Sequence, residues 1–252
     1  MIKNETIDVL RSHSSVRFFK DEPVPQEVID TILECAQRAP TSSNLQNCTI
    51  IQVESREKRT ALMEYSGGQP WLVKAPLVLL FCADLYRCHK TLAPADKHVL
   101  HNAELFTVAV TDAALAAQKA LIAAQACGLG GVVVGGVRNE TAKMAALFDL
   151  PELVFPMFAL CLGYPEKVPV QRPRFPRHFI YAVDRYPGLP AEEDLRDYDD
   201  AIRKYFLKHT NDPNEFGWVA RGQFAITSKP RYEVGEFLKN AGFLTEAEPF
   251  KE

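Results

Sequence analysis

Two polar stretches hold the side chains of this chain with most capacity for ligand chemistry: His13-Ser14-Ser15-Val16-Arg17-Phe18-Phe19 and Pro40-Thr41-Ser42-Ser43-Asn44-Leu45-Gln46. Together they supply hydroxyls, side-chain amides, an imidazole and a guanidinium. That inventory suits a phosphate, a polyol and a ring edged with hydrogen-bonding atoms better than a metal or an acyl group. Flavin mononucleotide (FMN) joins those three parts in one molecule. Farther along, Arg172 and Arg174 stand one residue apart in a basic, proline-containing run. In an extended segment both can reach one anionic group, each charge-assisted hydrogen bond contributing about 1.5–3 kcal/mol. Taken alone, the run reads better as an exposed loop with solvated arginines. Gly135-Gly136 follows a short strand ending at Val134 and leaves two backbone N–H groups unobstructed, so a flat ligand can approach the main chain there. A simple turn explains the pair equally well.

Apolar periodicity locates the elements that must position these groups. Helical patterns run from about Glu5 to Arg11 and from Gln26 to Arg38, the second with Val28, Ile29, Ile32, Leu33 and Ala36 on one face and Pro25 placed to open it. Each polar stretch therefore begins where a helix ends. Strands are expected at Thr49–Val53, Leu77–Ala83, Val132–Val134 and Pro156–Leu162, and further helices at about 56–65, 104–127, 141–148, 191–208 and 232–240. A proline-rich passage from Pro165 to Pro190 intervenes; a loop of that length is usually functional or laid along a partner.

Composition narrows the function classes. With 252 residues, 47% hydrophobic and 24% charged, the chain can bury a large core. A net charge of -3 gives no basic field, which argues against a nucleic acid partner. The cysteines (Cys35, Cys48, Cys82, Cys88, Cys127 and Cys161) include no C-x-x-C pair, and no export signal opens the chain; both fit a reducing cytoplasm. The stretch from Ala113 to Val137 is apolar, but Gln118, Lys119, Gln125 and several glycines interrupt it, whereas a bilayer span needs ~20 apolar residues in a row. A long core helix is the better reading, with no membrane partner. Gly128-Leu129-Gly130-Gly131 comes after a helix and before a strand, the reverse of a dinucleotide fingerprint. Cys88, His89, Asp96, His98, His101 and Glu104 form the nearest thing to a metal cluster, but no well-spaced second ligand pair accompanies them, so no metal is expected.

Ordered landmarks then carry a resemblance over nearly the whole length: H-x-S-x-R-x-F at 13–19, T-S-S-x-L-Q at 41–46, Gly67-Gly68-Gln69, Gly128 through Asn139, Leu160-Cys161-Leu162-Gly163-Tyr164-Pro165, and Arg-Pro-Arg at 172–174. The chain resembles the FMN-dependent nitroreductase superfamily, in particular its oxygen-insensitive nitroreductases and flavin reductases. The resemblance implies an α+β fold: one domain over 1–252 with a central, mainly antiparallel sheet flanked by helices. It also implies an intertwined homodimer with flavin at the subunit interface, 191–252 being a helical extension that serves the dimer and the donor site. By the same resemblance His13, Ser14, Ser15 and Arg17 border the ribityl-phosphate and pyrimidine side of FMN, Arg172 and Arg174 hold its phosphate, and Thr41, Ser42, Ser43 and Gln69 bond the ribityl chain or ring edge. Val134, Gly135 and Gly136 face the N5 region. A cation at Arg17 would favour reduced flavin, which is negative near N1 and C2=O.

Departures from that pattern concern Ser14, where relatives carry an arginine, and the donor segment after Tyr205. There Lys208 and His209 stand in for arginines while Asp212 and Glu215 oppose a phosphate, so NADH is as credible a donor as NADPH. Asn44 replaces an aromatic over the ring and makes the acceptor slot more polar. The expected activity is two-electron, ping-pong reduction of nitroaromatics, quinones or related small-molecule acceptors by NAD(P)H, with the chemistry at FMN N5 and no catalytic side chain. The alternatives are a dedicated flavin or metal-oxyanion reductase, an FMN-binding module without turnover, and a metal-dependent hydrolase built on the 88–104 cluster.

Overall fold

Four strands form one antiparallel sheet in the order β1-β2-β4-β3: β1 Cys48–Gln52, β2 Leu77–Asp84, β3 Gly130–Val134 and β4 Val154–Gly163. This computed structural model describes residues 2–92, 97–210 and 214–245. Leu77 faces Leu162 across β2 and β4, and Gly130 faces Gly163 across β3 and β4. Every residue of β2 is buried, because helices cover both faces of the sheet. That is why its sequence is a continuous apolar run instead of an alternation of apolar and polar residues.

On one face lie α2 (Gln26–Gln37) and the long α6 (Ala103–Ala126), packed on Leu77, Leu79, Phe81, Leu160 and Leu162. The opposite face buries Val78, Leu80, Cys82, Val132, Val134 and Cys161 among side chains of α3 (Arg56–Tyr65), α4 (Trp71–Lys74) and α7 (Thr141–Leu147). α1 (Glu5–Arg11) precedes α2, and α5 (Tyr86–Thr91) follows β2.

Length and hydropathy would let α6 cross a membrane. Its buried face shows what it does instead: Ala109, Ala113, Ala116, Ala117, Ala120 and Ala124 let it lie close to the sheet and α2, and the carboxylate of Asp112 is buried among them.

The chain divides into two compact units, Met1–Pro169 with Arg231–Glu252, and Val170–Pro230. The helical region expected from 191 onward is thus split. α8 (Arg177–Ile180), α9 (Glu192–His209) and α10 (Trp218–Ser228) belong to the second unit, and α11 (Glu233–Asn240) to the first. In the second unit Phe175 anchors a ring cluster, with centroids 4.5 Å from Tyr198, 5.1 Å from Trp218 and 5.3 Å from Phe179. Tyr205 donates to the Val170 carbonyl at 2.8 Å and Tyr198 to the Pro173 carbonyl at 3.3 Å, so the proline-rich segment is laid along α9. α4, α5, α8 and α10 fall outside the sequence expectations. α10 buries none of its residues fully, so it displays no apolar stripe to read.

Candidate functional site

Three segments of the first unit meet beside the edge strand β3. The Val16 N–H donates to the Gly131 carbonyl at 3.0 Å, and Ser15 forms a parallel bridge to Gly131. Contact is close because Gly130 has no side chain; a Cβ there would lie 2.5 Å from Val16 Cγ2. His13 Nδ1 lies 3.2 Å from Gln125 Nε2 near the end of α6, and Ser14 is buried. The second segment is the turn from Ser66 to Trp71, in which Gly67 and Gly68 take left-handed backbone angles (φ 82 and 75). Arg17 extends over the Trp71 ring, its guanidinium carbon 5.4 Å from the centroid. Gln69 Nε2 donates to the Ser66 carbonyl at 3.1 Å. The third segment is Val134-Gly135-Gly136, where β3 passes into a short 3-10 turn, Gly135–Glu140. A Cβ on Gly136 would collide with the Ser66 carbonyl and lie 2.5 Å from Gln69 Nε2, so the second and third segments touch.

Positive charge gathers at the same end. Arg138 Nη1 donates to the Met157 carbonyl, and its guanidinium would lie 3.0 Å from a Cβ on Gly135. Burial, with the Arg231 charge nearby, pulls its pKa below the usual arginine value. Arg231 in turn donates to Asn139 Oδ1 at 2.8 Å.

The stretch from Thr41 to Gln46 lies elsewhere on α6. Buried Asp112 accepts from Ser42 N–H at 3.2 Å and Asn47 N–H at 3.0 Å, and Leu45 N–H donates back to the Ser42 carbonyl at 2.9 Å. Ser43, Asn44 and Gln46 all hold positive φ (49, 57 and 56), which costs non-glycine residues energy unless something fixes them; the Asp112 carboxylate does that here. Thr41 and Ser42, with Thr107, Thr111 and Leu115, line a groove of about 380 Å³ over the outer side of α6. A second cavity of about 590 Å³ lies behind the loop, bordered by Arg38, Gln46, Arg87 and Asp112.

The two polar stretches of one chain therefore do not converge. One attaches to α6 at Asp112 and the other at Gln125, roughly 20 Å apart at 1.5 Å per helical residue.

Two family models match consecutive parts of the sequence: the nitroreductase family over residues 10–164, and its C-terminal domain over residues 172–246. This chain belongs to the nitroreductase family. Among curated members, an FMN reductase (NADPH) of Bacillus subtilis is 36% identical over 95% of this chain and 98% of its own length. An oxygen-insensitive NADPH nitroreductase of Salmonella typhimurium is 35% identical over 95% of this chain and 98% of its own. Among solved structures, a nitroreductase from B. subtilis superposes with a TM-score of 0.90 at 34% identity, over 96% of this chain and 100% of that one. The α+β fold expected from the sequence is thus the fold of solved nitroreductase-family members.

Within this family member, His13, Ser14, Ser15, Arg17, Gln69, Val134, Gly135 and Gly136 lie on contiguous segments, whereas Thr41, Ser42, Ser43 and Asn44 form the separate loop at Asp112. Arg172, Arg174, Lys208 and His209 lie in the second unit. Arg172 covers the Phe206 ring at 5.1 Å, and Arg174 pulls the Tyr198 pKa down against the larger upward effect of burial. The imidazole of His209 is 5.2 Å from the Tyr205 ring.

Sequence reasoning assigned no role to Trp71, Arg138, Asp112 or Arg221. The last lies 3.5 Å from the Phe206 centroid. Asp112 alone had a local signal, as a carboxylate inside an otherwise apolar helix. Of the 88–104 cluster, Asp96 and the side chain of His98 lie outside the described residues, and among the described residues no group of histidine, cysteine and carboxylate side chains is placed to hold a metal.

The donor set fits FMN. Gly135 keeps partly exposed backbone at one end of the β3 edge, whereas Gly136 is buried against Ser66 and Gln69 and is not the open approach its sequence suggests; Gln69 supplies an amide there, and Arg17 with the His13–Ser15 hydroxyls and imidazole continues along it.

Proposed function

We propose that this chain is an FMN-dependent NAD(P)H oxidoreductase of the nitroreductase type, reducing nitroaromatics, quinones or related flat acceptors in two-electron steps. The observation that carries this reading is the convergence of 13–17, 66–71 and 134–136 on one sheet edge. FMN held at this edge would supply two-electron redox chemistry between a nicotinamide donor and a flat acceptor, and the residues around it would bind and orient it.

The protein's work is placement. Arg17 would supply a positive charge at the pyrimidine edge; His13, Ser14 and Ser15 would bond the ribityl-phosphate side; Arg172 and Arg174 would take the phosphate. Gly135 and Gly136, with Val134, approach the N5 region, and Gln69 bonds the ring edge. Thr41, Ser42, Ser43 and Asn44 come from a second copy of the chain, because their own loop sits roughly 20 Å from the 13–17 segment along α6. The working unit is thus a homodimer, a soluble cytoplasmic enzyme acting on small molecules. Lys208 and His209 meet the nicotinamide donor, and solvent supplies protons.

A dedicated flavin reductase is the second reading. It is favoured by relatives named FMN reductase, the Bacillus subtilis FMN reductase (NADPH) among them.

The test is spectroscopic. Purified protein incubated with FMN is expected to be yellow, to bleach anaerobically with NADH or NADPH, and to recolour on addition of a nitroaromatic or quinone. Recolouring only with free flavin would favour the second reading. Bound FMN without bleaching would reduce the chain to a flavin-binding module, and a protein that stays colourless with FMN overturns the proposal.

A further inference from the structure

The geometry points to Trp71 as the positioning residue that aims Arg17, and through it sets how readily bound FMN is reduced; this rests on the FMN reading above. Val16 is pinned to Gly131 by a backbone hydrogen bond of 3.0 Å, which fixes the start of the Arg17 side chain relative to the sheet. The guanidinium is several rotatable bonds farther out and reaches the Ser15 carbonyl at 3.5 Å. What lies under it is the face of Trp71, at 5.4 Å. A planar guanidinium stacks well on an indole, so the ring limits where the charge can point.

Trp71 is itself held firmly. It opens α4 directly after Pro70, beside fully buried Leu72, and packs on the cluster that contains Val78, Val132 and Val134. Its Nε1 is buried with no hydrogen-bond partner, although a buried indole N–H usually has one. The ring is therefore placed by packing, and its face is what it offers. The same turn presents Gln69 against Gly136, so one rigid segment sets both the ring-edge amide and the shelf beneath Arg17.

The test uses the FMN-loaded protein and reads the flavin midpoint potential against a reference dye, together with FMN affinity. Trp71→Met keeps an apolar side chain but removes the ring. It is expected to lower the preference for reduced over oxidised FMN on the order of five-fold, a midpoint about 20 mV more negative. Trp71→Phe keeps a face and drops the N–H, and is expected to stay within about two-fold of the parent. In an Arg17→Gln background the Trp71→Met change should no longer move the potential. A potential unmoved by Trp71→Met, an equal shift in the Phe and Met variants, or a full shift surviving in the Arg17→Gln background would each overturn the assignment. Loss of FMN binding by the parent protein would instead overturn the functional reading itself.

Discussion

At the residue scale, Asp112 and the buried thiols make opposite use of burial. Asp112 is an ionisable side chain inside a helix core, tolerated because it accepts two backbone N–H groups from the 42–47 loop. Asp112→Ala is expected to strand both donors and to cost roughly 1–3 kcal/mol for each left buried. Asp112→Asn, which keeps one acceptor oxygen, should cost less; urea denaturation of the two variants measures the difference. Among the described residues, the thiols of Cys48, Cys82 and Cys161 have no such partners. Burial pushes Cys48 and Cys161 up to about 12 from an ordinary value of 9.0, and Cys82 higher still. A folded pKa above the unfolded one favours the neutral thiol in the folded state. This contribution is complete below pH 9 and is lost as the pH climbs from there towards 12. Stability should therefore fall between pH 8 and pH 10.5, and a variant with alanine at Cys48, Cys82 and Cys161 should show a shallower fall in urea midpoints over that range.

At the element scale, the site depends on how closely chain segments approach β3 and its exit turn. At Gly130 and Gly136 a side chain would occupy space already filled, by Val16 in one case and by Ser66 and Gln69 in the other. Gly130→Ala should destabilise the fold by about 1–3 kcal/mol, as overpacking does, and loosen the 13–17 segment. Gly136→Ala should displace the Ser66 carbonyl as well as Gln69, cost at least as much stability, and raise the FMN dissociation constant by about tenfold or more. Thermal melts and fluorescence titration of the apo-protein with FMN separate the two outcomes.

At the scale of the whole molecule, the proposed site makes one chain only part of a flavin cradle. The outer side of α6 exposes Thr107, Thr111 and Leu115 next to Thr41 and Ser42, which is where a second copy would bring its own His13–Arg17 segment. The second unit exposes Ile180, Tyr186, Leu189, Phe224 and Ile226. Leu115→Glu is expected to shift the protein from dimer to monomer in sedimentation experiments and to release FMN in the same step. A monomer that keeps FMN at the parent affinity would contradict the shared site.

The sequence by itself determined the elements with strong periodicity: all four strands, the long α6 and the paired helices before each polar stretch follow from apolar patterning to within a few residues. It also determined the family, because short motifs in fixed order survive where single residues vary. Tertiary structure decided the rest. No local pattern tells that Asp112 would be spent holding the 41–46 loop, that Trp71 would lie under Arg17, or that the region after Pro190 would be divided between two units, since each depends on what packs against it from a distant part of the chain. Four-residue α4 is too short to show a period, and α10, which buries none of its residues fully, shows no apolar stripe, so neither was legible.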